Sequence, residues 1–505
     1  MKIGFLLALL WATAVMAAPG EDCGRRIFMT GTSPSGEEIT ALVGKEGVPV
    51  PASAVPCAGC HGRDGLGRPE GSVIPSNITW SHLTKPYGGV SPSGRRFPPY
   101  TESSLKRAVT EGLDPAGQAL DAAMPRFRMS PEDLDCLVAF IKHLEHELDP
   151  GLSDDAVVIG SVLPGGRLRP LGDAIEAVLK AYIGDINQGG GLYGRRVILK
   201  VERCNSPQGC LEKIKAMTRS EEVFAIIGAF IAGIEEEALK AAEESGTPLV
   251  GPITSFPEEE GVLSHVFFVE PGLLTQGLAM IDFAETLTED VRPAIIFTDR
   301  VQESLVKALA QRIRRKTGKD VPLMAIHSVK GLKGKIALLK GQGTNVLLFL
   351  GRGSALLATA EEAQEQGWTP YIFLFGHFLD RAVFDLPELF EDKVFVSFTA
   401  IPQSAEEFLD FRKDHSLPGR FMPFQIIAYA SAKIFEQGLK RAGRRLDREK
   451  FIAALESLYR YDVSVIPPVT YHANRHIALS GAFVVGVDLA SRGFAARPVW
   501  VEASP

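Results

Sequence analysis

The chain has 505 residues, 45% of them hydrophobic and 23% charged, with a formal net charge of −7. That length exceeds one ordinary core, and the composition is globular, which excludes wholesale disorder and a multi-span membrane protein. The acidic balance excludes the basic footprint of a nucleic-acid-binding surface.

Lys2 and the apolar run Phe5–Leu10 precede small residues at Val15 and Ala17. This pattern predicts a signal peptide over residues 1–18, cleaved after Ala17 or Ala18. The run is short for a membrane span of about 20 residues, and Glu21 and Asp22 disfavour a lipid anchor on Cys23. The mature chain is therefore expected in the periplasm, without a membrane span.

Residues 19–148 are rich in Gly, Pro and Ser, with short helical patterns. Their chemistry sits in Cys57-Ala58-Gly59-Cys60-His61. Two thiols at this spacing can add across the vinyl groups of a haem, and the adjacent imidazole can bind its iron. A zinc half-site or a redox Cys-x-x-Cys pair is the competing reading, but no second ligand pair follows. The pattern predicts one covalent haem c, with Cys57 and Cys60 as attachment points and His61 as an axial ligand. Met124, in Asp121-Ala-Ala-Met-Pro-Arg-Phe127, is the leading sixth ligand, because a thioether is a soft, neutral donor. Met129, His82, His143 or an open iron are the rivals. A helix is expected just after, with Ser130 as N-cap, Pro131 at its first position and Leu134, Leu137, Val138 and Ile141 on one face.

Six cysteines in an exported chain invite pairing. With Cys57 and Cys60 assigned, Cys204 and Cys210 are expected to close a small ring. Cys23 and Cys136 would tie the N-terminus to a helix; the alternative for Cys136 is a thiol packed as a small apolar residue.

Residues 149–155 read as a linker. Over 156–505 the pattern changes to alternating strands and helices. Buried strands are predicted at 157–163, 197–201, 224–227, 248–250, 294–297, 346–350, 371–375 and 394–398. Ile175, Val178, Leu179, Tyr182, Ile183 and Ile186 form a helical apolar face. This alternation argues a parallel α/β architecture, split by its size into two lobes. Gly351-Arg-Gly353 fails as a dinucleotide loop because Leu356 holds the third glycine position. Gly189–Gly194 follows a helix and reads as its stop and turn. A ligand cleft is expected at the carboxyl ends of the strands.

Residues 55–144 resemble class I c-type cytochromes, through Cys-Ala-Gly-Cys-His-Gly, Gly112-Leu-Asp-Pro-Ala-Gly117 and Met124-Pro-Arg-Phe. The resemblance implies a small all-α electron carrier with His61 and Met124 axial. The Met-Pro pairing favours Met124 over Met129. The insert between Asn77 and Pro99 is long for the family. Residues 157–501 resemble type I periplasmic binding proteins, especially the branched-chain amino-acid receptors of ABC importers. Ile159-Gly-Ser-Val-Leu-Pro164, Asn187–Arg195, Ala225-Ile-Ile-Gly228 and Gly246–Pro252 carry this likeness, with Ile427–Lys433 farther on. It implies a two-lobed α/β fold with a small molecule held near Phe230, Ala232, Thr254, Ser255, Arg300 and His377. Bulky Phe230 and Ile231, and Arg300 in place of a frequent aromatic, put an amino acid ligand in doubt.

The expected function is periplasmic haem c electron transfer joined to small-molecule binding, serving an oxidation pathway. A dehydrogenase or another cytochrome would be the redox partner. The alternative is the receptor of an ABC importer, docking to a permease and carrying an accessory cytochrome. A haem peroxidase ranks below both, since Met124 would close the iron, and no enzyme activity is expected.

Overall fold

The computed structural model describes residues 19–67, 73–91, 94–220, 222–254, 257, 263–299, 303–328, 330–401 and 406–504. The expected signal peptide lies outside them. The chain divides into two compact units, which meet in sequence between Leu148 and Asp149.

In the N-terminal unit, helix Pro131–His143 starts where its sequence directs. Ser130 Oγ accepts the Asp133 N–H at 3.1 Å, Pro131 opens the first turn, and Lys142 and His143 close the last. Its face of Leu137, Val138, Phe140 and Ile141 is buried. Helix Pro19–Thr30 packs on it, with the Phe28 and Phe140 rings 5.4 Å apart. The Cys23–Cys136 disulfide joins the two helices. They approach closely at Gly24, where a Cβ would stand 2.1 Å from the Cys136 carbonyl oxygen. Beside the helices lies a three-stranded antiparallel sheet, ordered Val48–Pro51, Thr40–Val43, Arg126–Arg128. An all-α unit was expected, and these strands add to it. Each is at most four residues long, and the pairing of Leu42 with Arg126 spans most of the unit, so no local pattern announces it.

The C-terminal unit holds two lobes. The first has a five-stranded parallel sheet, ordered Val266–Phe267, Leu249–Val250, Ala225–Ile227, Ala156–Pro164, Arg196–Cys204. The second has an eight-stranded sheet. Its parallel part runs Leu323–Ala325, Pro293–Phe297, Val346–Leu350, Tyr371–Phe375, Val394–Phe398, and Gly481–Asp488 then pairs antiparallel with the last. Helices cover both sheets. Arg169–Gln188 buries Ile175, Val178, Leu179 and Ile183, the face its spacing predicts. It stops at the glycine turn, where Gly190, Gly191 and Gly194 take positive φ.

The segment expected as a linker is folded onto this unit. Val158 N–H donates to Gly151 O at 2.7 Å, and Asp149 accepts the Arg448 N–H at 2.5 Å. Arg448, 6% exposed, in turn donates to the carbonyls of Val223 and Phe224. Among the described residues, the chain passes between lobes three times, near Glu270, Thr399 and Leu479. Two passages lie side by side: Phe268 N–H donates to His476 O at 2.8 Å and Ala478 N–H to Phe268 O at 2.9 Å. Among the described residues, no helix is long and apolar enough to cross a membrane.

Candidate functional site

The first site is built on the short helix Cys57–His61, entered through Pro56 and left through Gly62 at φ 76. Among the described residues, Cys57 and Cys60 are the cysteines outside a disulfide. Burial pushes the Cys57 thiol up to about 12, so it stays protonated near neutrality. His61 Nδ1 donates to the Ser76 carbonyl at 2.9 Å. That bond fixes the tautomer and leaves the Nε2 lone pair as the donor. Burial also lowers the His61 pKa, against the opposing pull of the Ser76 carbonyl, and so favours the neutral ring.

Met124 sits in a turn closed by its own N–H on Asp121 O at 3.1 Å, with Asp121 Oδ1 accepting the Ala123 N–H at 2.8 Å. It is half-buried, and it is not among the side chains packed on the unit's apolar core. The rivals are placed differently. Met129 packs against that core, His82 Nδ1 accepts from Lys85 Nζ at 3.2 Å, and His143 is exposed in the last turn of its helix. These residues fit a haem. Two unbridged thiols precede a neutral imidazole with one committed nitrogen, and the segment after His61 exposes apolar Leu66, Val73 and Ile74.

The second site lies where strands of the two lobes end. Phe230 and Ala232 follow strand Ala225–Ile227, and Thr254 follows Leu249–Val250. A parallel bridge between Phe230 and Ile253 brings these loops together. Phe230 is half-buried against the lobe's core, and its N–H donates to Val162 O at 2.9 Å. Thr254 is 8% exposed, and its hydroxyl donates to Glu235 Oε1 at 2.6 Å. From the other lobe, His377 is exposed on the turn Gly376–Phe378. Ser255 and Arg300 lie outside the described residues.

One residue of this site was missed by sequence reasoning. Glu270 sits on the first passage between lobes, accepts a hydrogen bond from Thr399 Oγ1 on the second, and lies within electrostatic reach of His377. Burial raises its pKa, while His377 and the Thr399 hydroxyl pull it back. The available signal was a lone acid ending the apolar run Val266-Phe-Phe-Val269 before Pro271-Gly272. At the loop Gly351–Gly353, the Gly353 N–H is taken by Asp380 Oδ2 at 3.0 Å. The cavity beside it, lined by Phe349, Leu356, Leu374 and Asp380, has room for about one water molecule.

Residues 157–493, about two thirds of the chain, match the periplasmic binding protein family model. The chain belongs to the periplasmic binding protein family. Residues 53–145 match the cytochrome c family model, so its N-terminal unit is a cytochrome c domain. The family implies a periplasmic location and a small-molecule ligand for the binding-protein unit, and the cytochrome c domain implies haem c. The Leu/Ile/Val-binding protein homolog 7 of Brucella abortus (strain 2308) is 22% identical over 316 residues, covering 56% of this chain and 77% of the relative. Among solved structures, a fatty acid ABC transporter substrate-binding protein from Thermomonospora curvata covers 71% of this chain and 94% of its own, at 17% identity and TM-score 0.52. A leucine binding protein from Thermotoga maritima MSB8 covers 69% and 99%, at 18% identity and TM-score 0.52. At these identities the structures establish the type I binding-protein fold alone.

Proposed function

We propose that this binding protein is a periplasmic electron carrier with one haem c, which would be joined to Cys57 and Cys60 and would take His61 and Met124 as its iron ligands. Its binding-protein unit takes a small metabolite, and the chain serves a periplasmic oxidation pathway. The observation that carries this reading is the pair of unbridged thiols beside an imidazole whose Nδ1 is committed to Ser76 O. A bound haem supplies one-electron chemistry at its iron. The residues of the chain do the rest: Cys57 and Cys60 tether, His61 presents Nε2, and Met124 offers a neutral sulfur that favours the reduced state. Phe230, Ala232, Thr254, His377 and the added Glu270 are its candidate ligand-binding residues, and the sequence assigns Ser255 and Arg300 to the same role. Neither unit is assigned a catalytic step.

Denaturing mass measurement of the exported protein is the first test. A single haem added to the signal-cleaved mass is expected, and a haem-free mass with two free thiols would overturn the reading. The name of one structural neighbour, an ABC transporter substrate-binding protein, raises a second reading, the receptor of an ABC importer with an accessory cytochrome. Redox titration with the co-purified ligand present and absent separates the two. If the ligand binds one redox state tenfold more tightly, the midpoint moves by about 59 mV. An unmoved midpoint, together with stimulation of a permease, would favour the importer.

A further inference from the structure

The turn that carries Met124 is spanned by one side chain. The backbone of Arg126 is fixed in the sheet opposite Leu42. From there its Nη1 donates to the carbonyls of Asp121 (3.2 Å) and Met124, and its Nη2 donates to the Leu120 carbonyl at 2.9 Å. The guanidinium lies against Gly112, where a Cβ would stand 1.6 Å from Arg126 Nε and φ is +70°. No other residue type fits that socket without strain or displacement of the arginine. Gly112 also closes the other end of the loop, its carbonyl accepting the Leu120 N–H at 2.8 Å. A planar fork reaching three carbonyls from a strand is a rigid brace that neither lysine nor a neutral amide reproduces.

We propose that Arg126, seated over Gly112, is the positioning residue that holds the Met124 loop in register for its thioether to bind the iron. The inference rests on the haem reading above and extends it. A brace of this kind matters because a methionine sulfur is a weak ligand on a short turn outside the apolar core. Each rotation left open in the turn costs entropy that the iron–sulfur bond must overcome.

The test uses the full-length exported protein and its M124A, R126Q, R126K and G112A variants, each checked for one haem. Carbon monoxide binding to the ferrous form is followed by rapid mixing, and the methionine methyl resonance of the ferrous form by proton NMR. Slow binding is expected in the parent and fast binding in M124A. R126Q and G112A are expected to bind at least tenfold faster than the parent with a broadened methyl resonance, and R126K should lie between. Should R126Q fail to accumulate, R126K and G112A carry the comparison. Fast binding in M124A with parent-like R126Q, R126K and G112A would overturn the role of Arg126 and leave Met124 as ligand. Parent-like M124A would remove Met124 itself, and the proposal with it.

Discussion

The cytochrome unit and the binding-protein unit reach order by different routes. The first packs short helices and a sheet of short strands around a small core, in a sequence crowded with Gly and Pro. It carries a staple across 113 residues of sequence, and the five-residue helix Cys57–His61 holds its two unbridged thiols. The second buries two parallel sheets between helices, with strands such as Val346–Leu350 and Pro293–Phe297 buried at every position. Its disulfide closes a separation of only 6 residues, from the end of a strand into the first turn of helix Pro207–Arg219. A small core needs covalent support, while a large α/β core carries itself and leaves its strand-end loops available for binding.

The contrast breaks most sharply at the haem motif. Replacing Cys57 and Cys60 together by serine should abolish covalent haem, read as loss of the haem mass on a denaturing gel, while the binding-protein unit keeps its own unfolding transition. Haem retained under denaturation would refute the attachment. Next come the two staples. Cys23→Ser with Cys136→Ser should cost the cytochrome unit about 4–5 kcal/mol, against about 2 kcal/mol in the other unit for Cys204→Ser with Cys210→Ser. Calorimetry resolves the two transitions, and equal losses would mean that loop length does not govern their worth.

A smaller effect is expected at Thr254→Val, which removes the hydroxyl bonded to Glu235 and should cost about 1 kcal/mol. Its check is the denaturation midpoint of the binding-protein unit. Smallest is the effect at Glu270, whose folded pKa lies above the ordinary glutamate value. Such a group contributes its full stability below the unfolded pKa and loses it as pH rises through the folded one. Glu270→Gln should therefore be more stable than the parent at neutral pH, with the gap closing on acidification toward the ordinary glutamate range. A gap that widens on acidification would reverse the assignment.

Much of this was legible where the cause is local. Cys57-x-x-Cys60-His61 marks a cytochrome c domain within one turn of chain, and Ser130-Pro131 declares a helix start. Runs such as Val346–Leu350 and Tyr371–Phe375 read as buried strands because both their faces are apolar. Strands Val266–Phe267 and Leu323–Ala325 escaped, being two and three residues long, as did Gly481–Asp488, whose place is set by an antiparallel partner far back in the chain. Residues 149–155 look like a spacer from composition, yet backbone hydrogen bonds and the buried Arg448 hold them to a sheet.

Division into two units, a cytochrome c domain and binding-protein architecture were thus written in residue order, because each depends on neighbours or on a short period. The brace of Arg126 on the Met124 turn, the Glu235 partner of Thr254 and the place of Glu270 among the passages between lobes depended on the folded chain. These contacts join residues through close packing and carbonyl geometry, and no periodicity or motif encodes which carbonyl an arginine will reach.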